Sequence, residues 1–278
     1  MDLNLIKSKL GSLQQQRGSG GSKKDLSQVI WKPTVGKHSV RIVPSAYNKS
    51  NPFKEMFFHY GIGTRTMISL VNFGEKDPIV EFAEQLRKSS DKDNWNMAKK
   101  LSPKMRVFVP VVVRGEEDKG VRLWEFGKQI YMELLAIAED EDVGDYTDPM
   151  EGRDITIETT DAASNGTGYN QSKVRVRTKL TPLSTDSKEV ELWLTTQPDV
   201  MSLFKKHGYE EMKTALLEWL NPGEETPAAE EETAAPVTTP TPVEAKPLTP
   251  APGYSLNAKP KVDVDKAFDD LFSSDLPF

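Results

Sequence analysis

The sequence predicts an α+β fold, mainly β, over residues 26–221. A flexible basic arm (1–25) precedes it, and a Pro/Thr/Ala/Glu linker (222–261) with an acidic-hydrophobic tip (262–278) follows. Three observations carry this reading. Between Trp31 and Thr196, short β-rich runs are bounded by Pro, Asn and Gly, the punctuation of strands and turns. Apolar residues at helical spacing occupy inserted segments and the stretch before Asn221. After Gly223 the composition buries too little apolar surface to fold, which predicts a disordered tail.

Taken in order, Leu3, Ile6 and Leu10 suit one stripe of a short helix carrying Lys7 and Lys9, and Arg17-Gly-Ser-Gly-Gly-Ser-Lys-Lys reads as a linker. The alternative is a frayed terminus. Ser39–Pro44 and Glu55–Tyr60 read as strands. Asp77-Pro78 supplies a helix cap and first-turn proline, followed by Ile79, Phe82, Ala83 and Leu86 on one face. Lys104–Arg114 is the longest strand signal. Gly115–Gly120 reads as a hairpin loop and Val121–Phe126 as the partner strand. A helix from about Lys128 presents Ile130, Leu134 and Ile137. Strands are expected at Ile155–Glu158, Lys173–Leu180 and Glu189–Thr195, then short helices over Asp199–Lys206 and around Met212, Leu216 and Trp219.

Composition excludes several chemistries. The 278 residues include no cysteine, so disulfides, thiolate catalysis, iron–sulfur clusters and Cys-based zinc sites are ruled out. Three histidines, without HExxH or paired spacing, offer little to a metal. No apolar run approaches the ~20 residues of a membrane span. Met1–Leu10 lacks the apolar stretch of a signal peptide, so the chain reads as soluble and unexported. Gly61-Ile-Gly-Thr is not a phosphate-binding loop, and the acids at Glu139–Asp142 have no nucleophile beside them; nothing supports an enzyme.

The net charge of −6 hides segregation. Residues 1–49 carry nine Lys/Arg against two Asp, residues 139–161 carry ten acids against Arg153, and residues 222–278 carry eleven acids against four Lys.

Strand side chains alternate faces. Met105, Val107, Val109, Val111 and Val113 form an apolar side, leaving Lys104, Arg106, Phe108, Pro110, Val112 and Arg114 on the other. A hairpin is expected to gather Arg106, Phe108, Arg122 and Trp124 on one surface, where cations hold phosphates and rings stack on unpaired bases. The alternative is a second core face with cations at its rim. In a later run Lys173, Arg175, Arg177 and Lys179 share a face, either for backbone phosphates or for pairing with Glu189 and Glu191 on a following strand. Tyr169, just upstream, is a stacking platform or a turn tyrosine. Arg41 points away from the core, as many surface arginines do. His59 reads as packed or hydrogen-bonded rather than as a ligand.

In this order the chain carries Arg41-Ile-Val-Pro-Ser, Pro52-Phe, His59-Tyr-Gly, Glu125-Phe-Gly-Lys-Gln-Ile-Tyr, Pro149-Met-Glu-Gly and Gly168-Tyr-Asn-Gln-Ser-Lys. With these motifs it resembles the single-stranded-DNA-binding (helix-destabilising) proteins of T-even-type bacteriophages over roughly residues 1–200. The resemblance implies an OB-fold core with inserted and C-terminal helices. It also implies an N-terminal arm for self-association along the strand, with Lys7, Ser8 and Lys9 matching the arm's basic-Ser motif with fewer cations. An acidic tail would recruit replication, recombination and repair proteins such as a polymerase, helicase loader or recombinase. By position, Arg41, Lys99, Lys100, Lys104, Arg106, Trp124 and Tyr169 match groove residues of that family; Phe108, Arg122, Arg175 and Arg177 come from the strand-face reading. The family's zinc site of one His and three Cys meets His59 here, with Leu70, Pro78 and Val80 in the region of the cysteines. No metal or other cofactor is expected, with packing from Phe73, Ile79 and Phe82 instead. In the tip, Asp269, Asp270, Phe272 and Asp275-Leu276-Pro277-Phe278 resemble the partner-docking end of bacterial single-stranded-DNA-binding proteins.

The expected function is sequence-independent coating of single-stranded DNA in phage replication, recombination and repair, in the host cytoplasm and away from membranes. Tail and strand would compete for one groove. The alternatives are a single-stranded-RNA-binding regulator and a virion or scaffold adaptor that binds no nucleic acid.

Overall fold

A computed structural model describes residues 26–62 and 66–221. The expectations for the arm (Lys7, Ser8, Lys9), the linker and the tip (Asp269, Asp270, Phe272, Asp275 to Phe278) lie outside the described residues.

In chain order the elements are β1 (Ile30–Trp31), β2 (Gly36–Ile42), β3 (Lys54–His59), β4 (Met67–Ile68), α1 (Pro78–Lys88), α2 (Lys92–Leu101), β5 (Lys104–Val113), β6 (Arg122–Phe126), α3 (Lys128–Glu139), β7 (Arg153–Thr160), α4 (Ala162–Asn165), β8 (Gln171–Leu180), α5 (Ser187–Thr195), α6 (Val200–Leu203) and α7 (Tyr209–Leu220). The described residues thus form a mixed, mainly β fold of eight strands and seven α-helices. They fall into two compact units, one of residues 26–56 and 106–204, the other of 57–105 and 205–221.

In the first unit the strands run β1-β6-β5-β2-β7-β8. β1 joins β6 in parallel and every other neighbour is antiparallel. Period two then divides the sheet into two faces. The inner face holds Val107, Val109, Val111 and Val113 of β5, Val40 and Ile42 of β2, and Ile155 and Ile157 of β7, all buried. The apolar side expected for β5 is this core. Trp31 stacks edgewise on Trp124, and Trp124 on Phe126 at 4.5 Å, closing the inner face at β6. α3 buries Tyr131 and Leu134 and packs against β8; Tyr146 donates to the Leu134 carbonyl at 3.0 Å.

Glu189–Thr195, expected as a strand, is the helix α5. Its runs fit both periods, but Asp186 caps the segment by accepting from the Lys188 amide at 2.9 Å. Helical spacing then brings Val190, Trp193 and Leu194 onto a cluster with Val43, Val112 and Leu183. The helix expected over Asp199–Lys206 shortens to α6.

In the second unit, Phe58 and His59 of β3 pair with Ile68 and Met67 of β4. α1 begins as expected, with Asp77 accepting from the Ile79 and Val80 amides and Pro78 in the first turn. Ile79, Phe82, Ala83 and Leu86 meet Ala98 and Leu101 of α2 and Met212, Leu216 and Leu220 of α7 in one core. Phe73 packs at its edge, so the apolar packing expected around Ile79 and Phe82 is present.

Candidate nucleic-acid interface

The hairpin of β5 and β6 pairs Val107 with Phe126, Phe108 with Glu125, and Val109 with Trp124. This register sends Arg106 and Phe108 to the outer face and Arg122 and Trp124 to the inner one. The expected gathering of Arg106, Phe108, Arg122 and Trp124 on one open surface is therefore overturned. Trp124 is fully buried in the core, and Phe108 is 1% exposed. Arg122 is buried at the hairpin end, where its Nη2 donates to Glu116 at 2.7 Å. Sequence alternation assigns faces within each strand; pairing the two strands needs the register, and a shift of one residue exchanges the faces.

The outer face is formed by Arg106, Phe108, Pro110 and Val112 of β5 with Arg114 just after it, Lys37, Ser39 and Arg41 of β2, and Asp154, Thr156 and Glu158 of β7, with β8 beyond. Part of this face is covered. Phe108 lies 5.8 Å from the Phe204 ring and lines a cavity of about 310 Å³ with Tyr47, Phe53, Pro110 and Met201. Gln197 frames it: its Oε1 accepts from the Ala46 amide, and its Nε2 donates to the Pro44 and Trp193 carbonyls, all at 2.9 Å.

Arg41, expected on the surface, is fully buried. Its Nη2 donates to the Asp148 carbonyl, while Nε and Nη1 have no hydrogen-bond partner among the described residues. Burial lowers its pKa to about 10, against the raising effect of Asp154, Asp148 and Asp145. Gly152 permits this approach, because a Cβ there would collide with the guanidinium and with the Asp148 carbonyl. Arg114 is likewise engaged, with Asp154 at 2.9 Å and the Leu183 carbonyl at 2.8 Å. Arg106 pairs with Glu125 at 3.7 Å, and Lys32 pairs with the same carboxylate at 2.7 Å.

The open part of the outer face is β8. Lys173, Arg175, Arg177 and Lys179 are all exposed, while Val174 and Val176 turn to the half-buried side. Across the pairing, Lys173 stands opposite Glu158 and Arg175 opposite Thr156. The expected alternative, pairing with Glu189 and Glu191 on a following strand, is overturned because those residues lie on α5. Among the described residues none of the four cations is in an ion pair. Arg177 Nε donates to Thr156 Oγ1 at 3.3 Å. Cations spaced this way repel unless anions are near.

Tyr169 precedes β8 and is 67% exposed. Its carbonyl accepts from Thr167 Oγ1 at 2.7 Å and Asn165 Nδ2 at 3.3 Å, so the turn is fixed while the ring faces solvent. Gly166, at φ 68°, closes α4 in the left-handed region that glycine favours.

The second unit has its own cationic and aromatic surface. α2 exposes Trp95, with Lys99 Nζ 5.6 Å from its ring centroid, and exposes Lys99 and Lys100 in its last turn. Lys104 is exposed at the start of β5 and donates to the Lys99 carbonyl at 3.2 Å. Sequence reading named Lys99, Lys100 and Lys104 but missed α2 and Trp95. The signal present was the spacing of four between Trp95 and Lys99.

His59 is buried in the same unit. Its Nδ1 donates to the Leu101 carbonyl and its Nε2 meets Asp77 Oδ2, each at 3.0 Å. That oxygen also accepts from Ser69 Oγ at 2.5 Å and the Leu70 amide at 3.0 Å. Burial pushes the Asp77 pKa up, but hydrogen bonds from His59, Ser69 and the Val80 amide outweigh it, and the net shift is downward. Among the described residues no three His, Asp or Glu side chains cluster to hold a metal ion, and no helix is long and apolar enough to cross a membrane.

The family model described as "gp32 DNA binding protein like" matches residues 34–218. No individual curated protein matches the chain.

Proposed function

The chain belongs to the family of gp32-like DNA-binding proteins, and from that premise we propose that it binds single-stranded DNA without sequence preference through the open outer face of its first unit. The observation that carries the reading is β8: four exposed cations on one face, unpaired among the described residues, beside the exposed ring of Tyr169. Cations at strand spacing track a phosphate backbone, and a fixed exposed ring stacks on an unpaired base, which a duplex hides. Trp95 with Lys99, Lys100 and Lys104 offers the second unit a contact of the same chemistry.

In this reading the six-strand sheet is the OB-fold core, supported by its mainly antiparallel pairing and by α3 lying between β6 and β7 in the chain. The biological role is coating single strands during phage replication, recombination and repair in the host cytoplasm. The arm provides self-association along the strand, and the acidic tail competes for the cationic face and recruits replication and recombination proteins. Segregated charge supports both parts, since residues 222–278 carry eleven acids against four Lys.

Competition binding tests the proposal. A fluorescent oligo(dT) should be displaced by unlabelled single-stranded DNA of any sequence and poorly by duplex. Preferential displacement by matched RNA would instead make the chain an RNA-binding regulator. No binding at low salt would make it an adaptor.

A further inference from the structure

We infer that the solvent face of α3 is a docking surface for α3 of a second copy of this chain, the two helices lying antiparallel about a two-fold axis. α3 turns Tyr131 and Leu134 into the core of the first unit. The side away from that core holds Met132 and Leu135, 58% and 43% exposed, with Ala136 exposed beside them. A surface helix ordinarily keeps charged and polar residues there. At a spacing of three and four these side chains are neighbours and form one apolar stripe. Exposed apolar groups set side by side mark an interaction surface, where scattered ones do not.

The ends of the stripe select its occupant. Lys128 lies four residues before Met132, and Glu139 lies four residues after Leu135, so both fall on the same side of the helix. Both are exposed, and among the described residues neither is in an ion pair. A stripe running cation, Met, Leu, anion is complementary to its own reverse. In a two-fold contact residue i meets j while j meets i. An antiparallel copy therefore sets Met132 against Leu135 and Lys128 against Glu139, twice over. A parallel copy would oppose like charges, and a wholly basic or wholly acidic partner would suit one end and repel the other.

α3 has twelve residues and is about 18 Å long, so the contact covers less than the roughly 800 Å² per partner of a standard interface. The pair is therefore weak and depends on concentration. It is also closed: two-fold pairing stops at two copies, unlike self-association that runs along a strand. The inference does not require nucleic-acid binding. It rests on the function proposed above for one consequence, that a pair holds two coated single strands in one complex.

Sedimentation equilibrium of the full chain without nucleic acid, over a concentration series at low salt, tests it. The natural chain should show a monomer–dimer equilibrium. Met132→Glu with Leu135→Glu, both at exposed positions, should raise the dimer dissociation constant about tenfold or more, with the thermal midpoint little changed. Lys128→Glu alone and Glu139→Lys alone each oppose like charges and should weaken pairing several-fold. Mixing these two single variants, or combining both changes in one chain, should restore it. A natural chain that stays monomeric would overturn the inference. So would a dissociation constant indifferent to Met132→Glu with Leu135→Glu, which places self-association on another surface, or charge variants that do not recover on mixing. Because no DNA is present, failure here leaves the DNA-binding reading standing, and a protein that binds no DNA could still show the pairing.

Discussion

Phe108 of β5 lies directly across from Glu125 of β6, one position away from Trp124. That pairing turns the phenyl ring outward, where Phe204 and the cavity wall cover it, and turns the indole inward onto Trp31 and Phe126. The rings of this hairpin are structural. Among the exposed rings of the described residues, Tyr169 in the first unit lies next to the cations of β8 in the chain and Trp95 in the second lies beside Lys99, whereas Tyr47, also exposed, is tied by its hydroxyl to the Gln197 carbonyl.

Trp124→Ala should cost about 3–5 kcal/mol of stability, the range for truncating a buried aromatic. Trp124→Phe should cost less, because the indole N–H has no acceptor among the described residues. Tyr169→Ala should leave the unfolding midpoint nearly unchanged and weaken oligo(dT) binding by about 1–3 kcal/mol. Urea unfolding and titration of the three variants separate the roles.

Fluorescence should divide the tryptophans in the same way. Trp95, half exposed beside Lys99, is expected to be quenched by stacked bases. Trp95→Phe should remove most of the DNA-dependent quenching, and Trp124→Phe should retain it. Quenching that survives Trp95→Phe in full would remove α2 from the interface.

The His59–Asp77 pair predicts a pH dependence. Asp77 has a native pKa below its unfolded value, so its contribution is complete above about pH 4 and is lost as pH falls through the lowered native value. Asp77→Asn should cost about 1–3 kcal/mol at neutral pH, because one of the two oxygens that accept from His59, Ser69 and the Leu70, Ile79 and Val80 amides becomes an NH2 group and leaves buried donors unsatisfied. Stability of the natural protein should also fall more steeply below pH 4 than that of the variant. Denaturant midpoints measured from pH 3 to pH 7 check both statements.

Gly152→Ala places a methyl group against the Arg41 guanidinium and the Asp148 carbonyl. It should destabilise the first unit by about 1–3 kcal/mol, the usual cost of overpacking. Arg41→Lys should weaken it too, because the smaller ammonium group leaves the buried space of the guanidinium partly unfilled and moves the donor that meets the Asp148 carbonyl. A shift in thermal midpoint with no change in salt-dependent binding would place Arg41 in structure rather than in DNA contact.

Much of this arrangement is legible in the residues. Period two in Lys104–Val113 identifies the inner face, Asp77-Pro78 marks the start of α1, and Lys173–Lys179 puts its cations on one side. Glu189–Thr195 misleads because its apolar positions satisfy both periods, and the Asp186 cap and the cluster around Trp193 decide between them. α2 escapes notice because Asn94, Ala98 and Leu101 form its buried stripe, too little apolar surface to advertise a helix. The division of Phe108 from Trp124 depends on a hairpin register that neither strand encodes alone. Burial of Arg41 depends on a glycine 111 positions away, a contact no local pattern announces.

The most direct test of the central claim is a salt series of oligo(dT) affinities for the full chain carrying Lys173→Gln, Arg175→Gln, Arg177→Gln and Lys179→Gln together. If β8 holds the phosphate backbone, the slope of log K against log salt should flatten by about 0.7 for each phosphate contact removed, with the unfolding midpoint little changed. An unchanged slope and affinity would contradict the account.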